Sequence, residues 1–254
     1  MTQQKVLYQV QEGIARITLN RPEKRNALDQ ELVSELKEAV AASARDPLCR
    51  VVLLAGAGTD FCSGADLSGL DKSAQAGVLD NMADARNMAD VFLMMRNHPR
   101  PIMAAVHGRA LAGGCGVATA CDIILASESA QFGYPEVNIG FVPAMVMAIL
   151  RRSISEKAAL ELVVTGEVIS APRAHEIGLV HRVYPDAQFQ SEANAYATKL
   201  AAKSTSAVML SKRLLYNMDS MSFEAALAAG VDTNAIARMT EDCRRGVERF
   251  LKKV

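Results

Sequence analysis

The stretch from His107 to Pro143 constrains this chain more than any other. Ile102 to Val106 reads as a strand leading into it. Ala112-Gly113-Gly114-Cys115-Gly116 is a tight turn of small residues, feeding a helix that starts at Val117-Ala118-Thr119-Ala120. Asp122 to Ala126 reads as another strand. Phe132-Gly133-Tyr134-Pro135 then leads into a loop with one carboxylate, Glu136. Glycines let a backbone approach a ligand with no Cβ in the way. A helix start offers unpaired N–H groups and a partial positive charge. Such a turn can hold an oxyanion, and a carboxylate nearby can move a proton.

The whole chain, 254 residues, has room for one large domain or a domain with an appendage. Its 28 basic and 28 acidic residues cancel, so nothing draws it to nucleic acid or to an anionic membrane. Apolar runs such as Val51-Val52-Leu53-Leu54 fall far short of the ~20 residues of a membrane span. The opening MTQQKVLYQVQEG lacks an apolar signal core, and the expected location is cytoplasmic. The cysteines, Cys49, Cys62, Cys115, Cys121 and Cys243, are odd in number and form no CxxC. They read as small buried hydrophobes in a reducing compartment. His175-Glu176 with His181 misses the HExxH spacing, so no metal site is expected.

Val6 to Val10 and Ile14 to Leu19 alternate as two strands around Gln11-Glu12-Gly13. Leu28, Leu32, Leu36 and Val40 recur at helical spacing behind Asp29, a plausible N-cap. Arg50 to Ala55 reads as a buried strand. The loop from Gly56 to Leu67 has neither the lysine of a P-loop nor the third glycine of a dinucleotide fingerprint. Val78 to Asn97 reads as a methionine-rich helix. Strands alternate with helices to about Tyr184. Beyond Asp186 only helices are expected, over Glu192–Ala202, Ser206–Asn217, Phe223–Val231 and Val247–Leu251, the last with an apolar stripe of Val247, Phe250, Leu251 and Val254. The pattern divides the chain into an α/β core over 1–185 and a helical region over 186–254.

Four stretches together resemble the crotonase superfamily, the enoyl-CoA hydratase/isomerase group. They are Ile17 to Pro22 with Asn26-Ala27-Leu28, Phe61 to Leu67, His107 to Asp122, and Phe132 to Glu136 with Gly140 and Pro143. The similarity runs almost end to end. It implies an α/β fold, a spiral of ββα repeats, followed by a C-terminal helical region that forms trimers or hexamers. A coenzyme A thioester is the implied substrate, with no separate cofactor. The positions matching the oxyanion-hole amides are Ala65 and Gly113, and Glu136 matches an acid/base glutamate. Lys24 and Arg25, with Ser63, Asp66 and Leu67, fall where relatives contact coenzyme A.

One departure bears on the chemistry. Where the hydratases carry a second glutamate, this chain has Gly116, and Ala144-Met145-Val146 replaces a glycine-rich run, making that wall bulkier. A single glutamate suffices to move a proton between Cγ and Cα of an enoyl thioester. Hydration then needs another group to hold the water. The expected activity is therefore enoyl-CoA hydratase or 3-enoyl to 2-enoyl isomerase. Carbon–carbon cleavage, decarboxylation and non-catalytic acyl-CoA binding are the alternatives.

Overall fold

The computed structural model describes residues 4–66 and 76–252; Leu67 and Val254 fall outside them. Strands β1 (Val6–Gln11) and β2 (Ile14–Leu19) form the expected antiparallel hairpin. From β2 onward one excursion repeats. A strand joins a large sheet, a short extended piece joins a second layer, and a helix brings the chain back. β2 leads to Leu28 and helix α1 (Gln30–Arg45), and β3 (Val51–Gly56) leads to residues 62–65 and helix α2 (Val78–Arg96). β4 (Ile102–Val106) leads to β5 (Arg109–Leu111) and α3 (Gly113–Ala120). β6 (Ile123–Ser127) leads to β7 (Gln131–Gly133), a 3-10 turn over Pro135–Ile139, and α4 (Ala144–Ser153). After α5 (Glu156–Thr165), β8 (Val168–Ser170) and α6 (Ala171–Glu176), β9 (Arg182–Tyr184) closes the large sheet. Its order is β1-β2-β3-β4-β6-β9, parallel from β2 on; the small sheet is β5-β7-β8. Each excursion adds its strand on the same side of the last, so the ββα units wind as the expected spiral.

The sheet is covered on both faces, which is why its parallel strands read as unbroken apolar runs. Val52, Leu54 and Ala104 lie in the same core as the buried stripe of α1, Leu32, Leu36 and Val40. Asp29 caps that helix as expected, accepting from the Leu32 N–H at 2.8 Å. Val51, Leu53, Met103 and Leu125 face the other way, onto α7 (Asp186–Ala201). Phe189, Ala193, Ala197 and Ala201 form the stripe of α7 that meets them. Burying a large side chain in such a layer contributes roughly 1.5–3 kcal/mol.

Helix α8 (Thr205–Asn217) is tied to the sheet through Asp122, which accepts from the Ile102 N–H at 2.6 Å, Lys212 Nζ at 2.8 Å and the Tyr216 hydroxyl at 2.5 Å. Helices α9 (Phe223–Met239) and α10 (Glu241–Leu251) are longer than the apolar pattern indicates. The Ser222 and Thr240 hydroxyls cap their starts. Neither has a buried residue, and Phe223, Val231, Met239 and Phe250 are each at least 70% exposed. No helix among the described residues is long and apolar enough to cross a membrane.

Candidate active site

Three short parallel pieces run side by side in the second layer. Cys62 bridges Ala110, and Ala110 pairs with Phe132. From that line, Ala65 lies three residues on, Gly113 three and Glu136 four. All three positions therefore sit just past the carboxyl ends of adjacent parallel pieces, where α/β folds collect their ligands. Register brings them together across more than seventy residues of chain.

The orientation of the Ala65 amide follows from its bridge. Leu28 N–H donates to Gly64 O at 2.7 Å, and Asp66 N–H donates to Leu28 O at 2.9 Å. A parallel bridge uses the groups on either side of Ala65, so its own N–H points away from Leu28. A Cβ built on Gly113 would lie 4.0 Å from Ala65 N, and one on Gly64 would lie 3.7 Å from Gly113 N. Both amides thus border one space. Ala112, at φ 49 and ψ −128, makes the sharp turn from β5 into α3. For a residue with a side chain this costs about 1–3 kcal/mol and persists only where the surroundings enforce it. Here Ala112 N–H donates to Gly133 O at 2.8 Å, and Ala112 O accepts from Gly116 N–H at 2.9 Å. The helix consequently starts at Gly113, four residues before the expected Val117, and Gly113 presents its N–H at the helix start. Gly114 permits this packing, because a Cβ there would meet Cys62 O at 2.4 Å.

Glu136 enters from the 3-10 turn after β7. Its Oε2 is buried with no hydrogen-bond partner among the described residues. Burial raises its carboxyl pKa above the ordinary value, opposed only by a main-chain hydrogen bond of its own residue. Burial in the surrounding core is the main cause that raises the pKa of the Cys115 thiol and the Tyr134 hydroxyl, and the Glu136 charge adds to both. A buried acceptor left unsatisfied calls for an explanation, and accepting a proton from a bound molecule is one. Burial also pushes the Cys115 thiol up to about 11, so this residue is core and no nucleophile.

Gly116, one turn into α3, is fully enclosed. A Cβ there would lie 3.1 Å from Phe92 Cζ and 3.4 Å from Val146 Cγ2. Phe92 comes from α2 and Val146 from α4, and both are buried. Val146, from the stretch that stands in place of a glycine-rich run, thus packs against Gly116. The part played by Phe92, twenty-four residues away in sequence, had no local signal. A cavity of about 350 Å³ at the far end of α3, among Asp122, Ile149, His181 and Tyr216, shares no residue with this set.

The positions matched to coenzyme A contacts lie on two touching loops. Lys24 ends a short 3-10 turn and Arg25 caps it in the left-handed region at φ 51; both are exposed. Ser63 N–H donates to Arg25 O at 3.0 Å. The Asp66 carboxylate accepts from Arg21 Nη1 at 2.6 Å, so it helps fasten the two loops. Leu67 lies outside the described residues. A residue not singled out for this role holds the loops in place: Asn26, wholly buried at φ 56, donates to Ala57 O and Asp60 O and accepts from Arg21 N–H. Its signal was its type, since asparagine tolerates the left-handed region.

A ββα spiral, with the Ala65 and Gly113 amides beside each other and a carboxylate on the next parallel piece, is the architecture of a crotonase-class enzyme that processes acyl-CoA. Comparison with known proteins agrees. Residues 9–254 match the family described as enoyl-CoA hydratase/isomerase. The 2,3-dehydroadipyl-CoA hydratase of Escherichia coli is 33% identical over 244 residues, covering 96% of this chain and 94% of that protein. Human enoyl-CoA hydratase domain-containing protein 3, described as mitochondrial, is 34% identical over 95% of this chain and 79% of its own length. The crystal structure of a Mycobacterium smegmatis enoyl-CoA hydratase superposes with a TM-score of 0.93 at 34% identity, covering 98% of this chain and 96% of that one. This chain belongs to the enoyl-CoA hydratase/isomerase family.

Proposed function

We propose that the protein moves a proton along the acyl chain of an enoyl-CoA thioester, converting a 3-enoyl into a 2-enoyl group with Glu136 as its single acid/base. The observation that carries this reading is the contrast between Glu136, with a buried unsatisfied oxygen, and Gly116, sealed by Phe92 and Val146. Glu136 takes a proton from Cα. The electron pair left behind delocalises onto the thioester oxygen, giving a dienolate. The Ala65 and Gly113 N–H groups stabilise that oxygen, each donor being worth about 3–4 kcal/mol of barrier. Protonated Glu136 then returns its proton at Cγ, and the double bond moves into conjugation. A carboxyl held above its ordinary pKa suits the return step.

Lys24, Arg25, Ser63, Asp66 and Leu67 are the residues assigned to holding the nucleotide and pantetheine of the substrate. Coenzyme A is part of that substrate, and the reaction takes no further cofactor. The exposed apolar residues of α9 and α10 pack against further copies of the chain in a trimer or a hexamer. A monodisperse monomer in sedimentation at micromolar concentration would count against that assembly.

Hydration of a 2-enoyl thioester is the second reading, favoured by the names of the E. coli and M. smegmatis relatives. Incubation with a 3-enoyl and a crotonyl thioester in deuterated water separates the two. Deuterium uptake with migration of the double bond supports the single-base shift. Rapid addition of water to the crotonyl thioester, with no migration in the 3-enoyl one, overturns it.

A further inference from the structure

The turn that carries Glu136 is held in an unusual way. None of its residues, Pro135 to Ile139, is buried. Beyond it, Phe141 and Val142 are also exposed. Its outer side touches α5 at the helix end, where a Cβ on Gly166 would meet Val137 Cγ1 at 2.9 Å. The deep anchor is Tyr134, the residue before the turn, which is wholly buried. Its hydroxyl lies 2.6 Å from Thr119 Oγ1, on the second turn of the oxyanion helix. Thr119 spends its single proton on Cys115 O, at 2.8 Å, so the tyrosine is the donor to Thr119. Only Pro135, with its fixed φ, separates Tyr134 from Glu136. On the same side, Gly133 O accepts from Ala112 N–H at 2.8 Å. The strand that delivers the carboxylate is therefore fastened to both ends of α3.

We propose that the Tyr134–Thr119 hydroxyl pair is a positioning clamp that fixes the Glu136 carboxylate against the oxyanion helix, an inference that rests on the reading of Glu136 as the base. The clamp holds the distance between the group that takes the proton and the amides that receive the charge. Misplacing a reacting group by about 1 Å costs on the order of a hundredfold in rate. Binding of coenzyme A is spared, because Lys24, Arg25 and Ser63 lie on loops that the clamp does not touch.

The test compares Tyr134→Phe, Thr119→Val, Thr119→Ser and the Tyr134→Phe/Thr119→Val double variant in deuterium exchange at the substrate α-carbon. Circular dichroism checks that each is folded. Tyr134→Phe and Thr119→Val are expected to lose about ten- to a hundredfold in kcat with KM within about twofold. The acid limb of the kcat/KM profile moves to lower pH as the freed carboxylate gains water. Thr119→Ser, which keeps the hydroxyl, stays near wild type, and the double variant is no worse than the poorer single one. Folded Tyr134→Phe with unchanged kcat and acid limb overturns the clamp. So does Thr119→Ser as impaired as Thr119→Val, since the lost group would then be a packing methyl. If Tyr134→Phe does not fold, the Thr119 pair decides. Wild type that exchanges no α-proton overturns the reading of Glu136 itself, and the clamp falls with it.

Discussion

On the proposed reading Glu136 and Gly116 stand on two walls of one site, and the two positions are built oppositely. At Glu136 the turn after β7 carries a carboxylate into a buried setting and leaves one oxygen without a partner. At Gly116 the first turn of α3 carries nothing, and Phe92 and Val146 close over it. A buried unpaired acceptor is costly, whereas an apolar contact of this kind is favourable. The molecule thus bears a local cost on one wall and none on the other. On the proposed reading that asymmetry leaves Glu136 as the single acid/base, because the atoms nearest a Cβ at Gly116 are carbons of Phe92 and Val146.

Replacing the costly side should have the largest effect. Glu136→Gln keeps the shape and removes the proton acceptor. Isomerisation and α-proton exchange should fall by about 100- to 10,000-fold while thioester binding, read by calorimetry, survives. In wild type the rate should rise with pH through the raised pKa of Glu136, because the base must be ionised. Its acid limb should therefore lie above the pKa of a freely solvated glutamate, and a limb at or below that value would disconnect Glu136 from catalysis.

Gly113→Pro tests the amide shared by both walls. Proline suits the first position of a helix, but it restricts the residue before it, and Ala112 holds φ 49 and ψ −128, so folding is checked first. Turnover should drop by roughly 3–4 kcal/mol of barrier, a few hundredfold or more, in a variant whose circular dichroism is unchanged. Full activity in that variant would remove Gly113 from the mechanism.

Filling the opposite wall should cost stability instead. Gly116 has no positive φ, so a side chain there meets no backbone strain. Its Cβ would press on Phe92 Cζ at 3.1 Å. Gly116→Glu should lose about 1–3 kcal/mol in denaturant unfolding, as overpacked cores do, and should gain no hydration. Adding Phe92→Ala opens the space, and hydration of a 2-enoyl thioester should then appear. A fully stable, hydrating Gly116→Glu single variant would show that the wall yields freely.

Much of this was legible in residue type. Alternation gave the β1–β2 hairpin, the spacing of Leu32, Leu36 and Val40 gave α1, and the glycine turn and Glu136 stood out as a pair. What escaped was short or indirect. β5, β7 and β8 are three residues each, too short for periodicity, yet the β5–β7 register aligns the site. The stripe of α7 is mostly alanine, which signals burial weakly, and so its place on the sheet was invisible although it lies past residue 185. Helix α3 starts at Gly113 because of the Ala112 backbone, and no side chain announces a positive φ at an alanine.

The smallest expected effect returns to Glu136, read as stability instead of rate. Its folded-state pKa is raised by burial, so folding favours the protonated carboxyl. The corresponding stabilisation is fully present below the unfolded-state value and is lost as pH rises through the folded-state pKa. At neutral pH wild type therefore holds a desolvated charge that Glu136→Gln does not. The variant's own amide is imperfectly satisfied in the same place, which limits the gain to about 1 kcal/mol or less, roughly 2–4 °C in Tm at most. The gain should vanish below about pH 4, where wild type is neutral as well. Thermal scans at about pH 4 and about pH 8 measure the difference directly. A Glu136→Gln variant less stable than wild type at about pH 8 would mean that the carboxylate has a stabilising partner, and the contrast between the two walls would lose its physical basis.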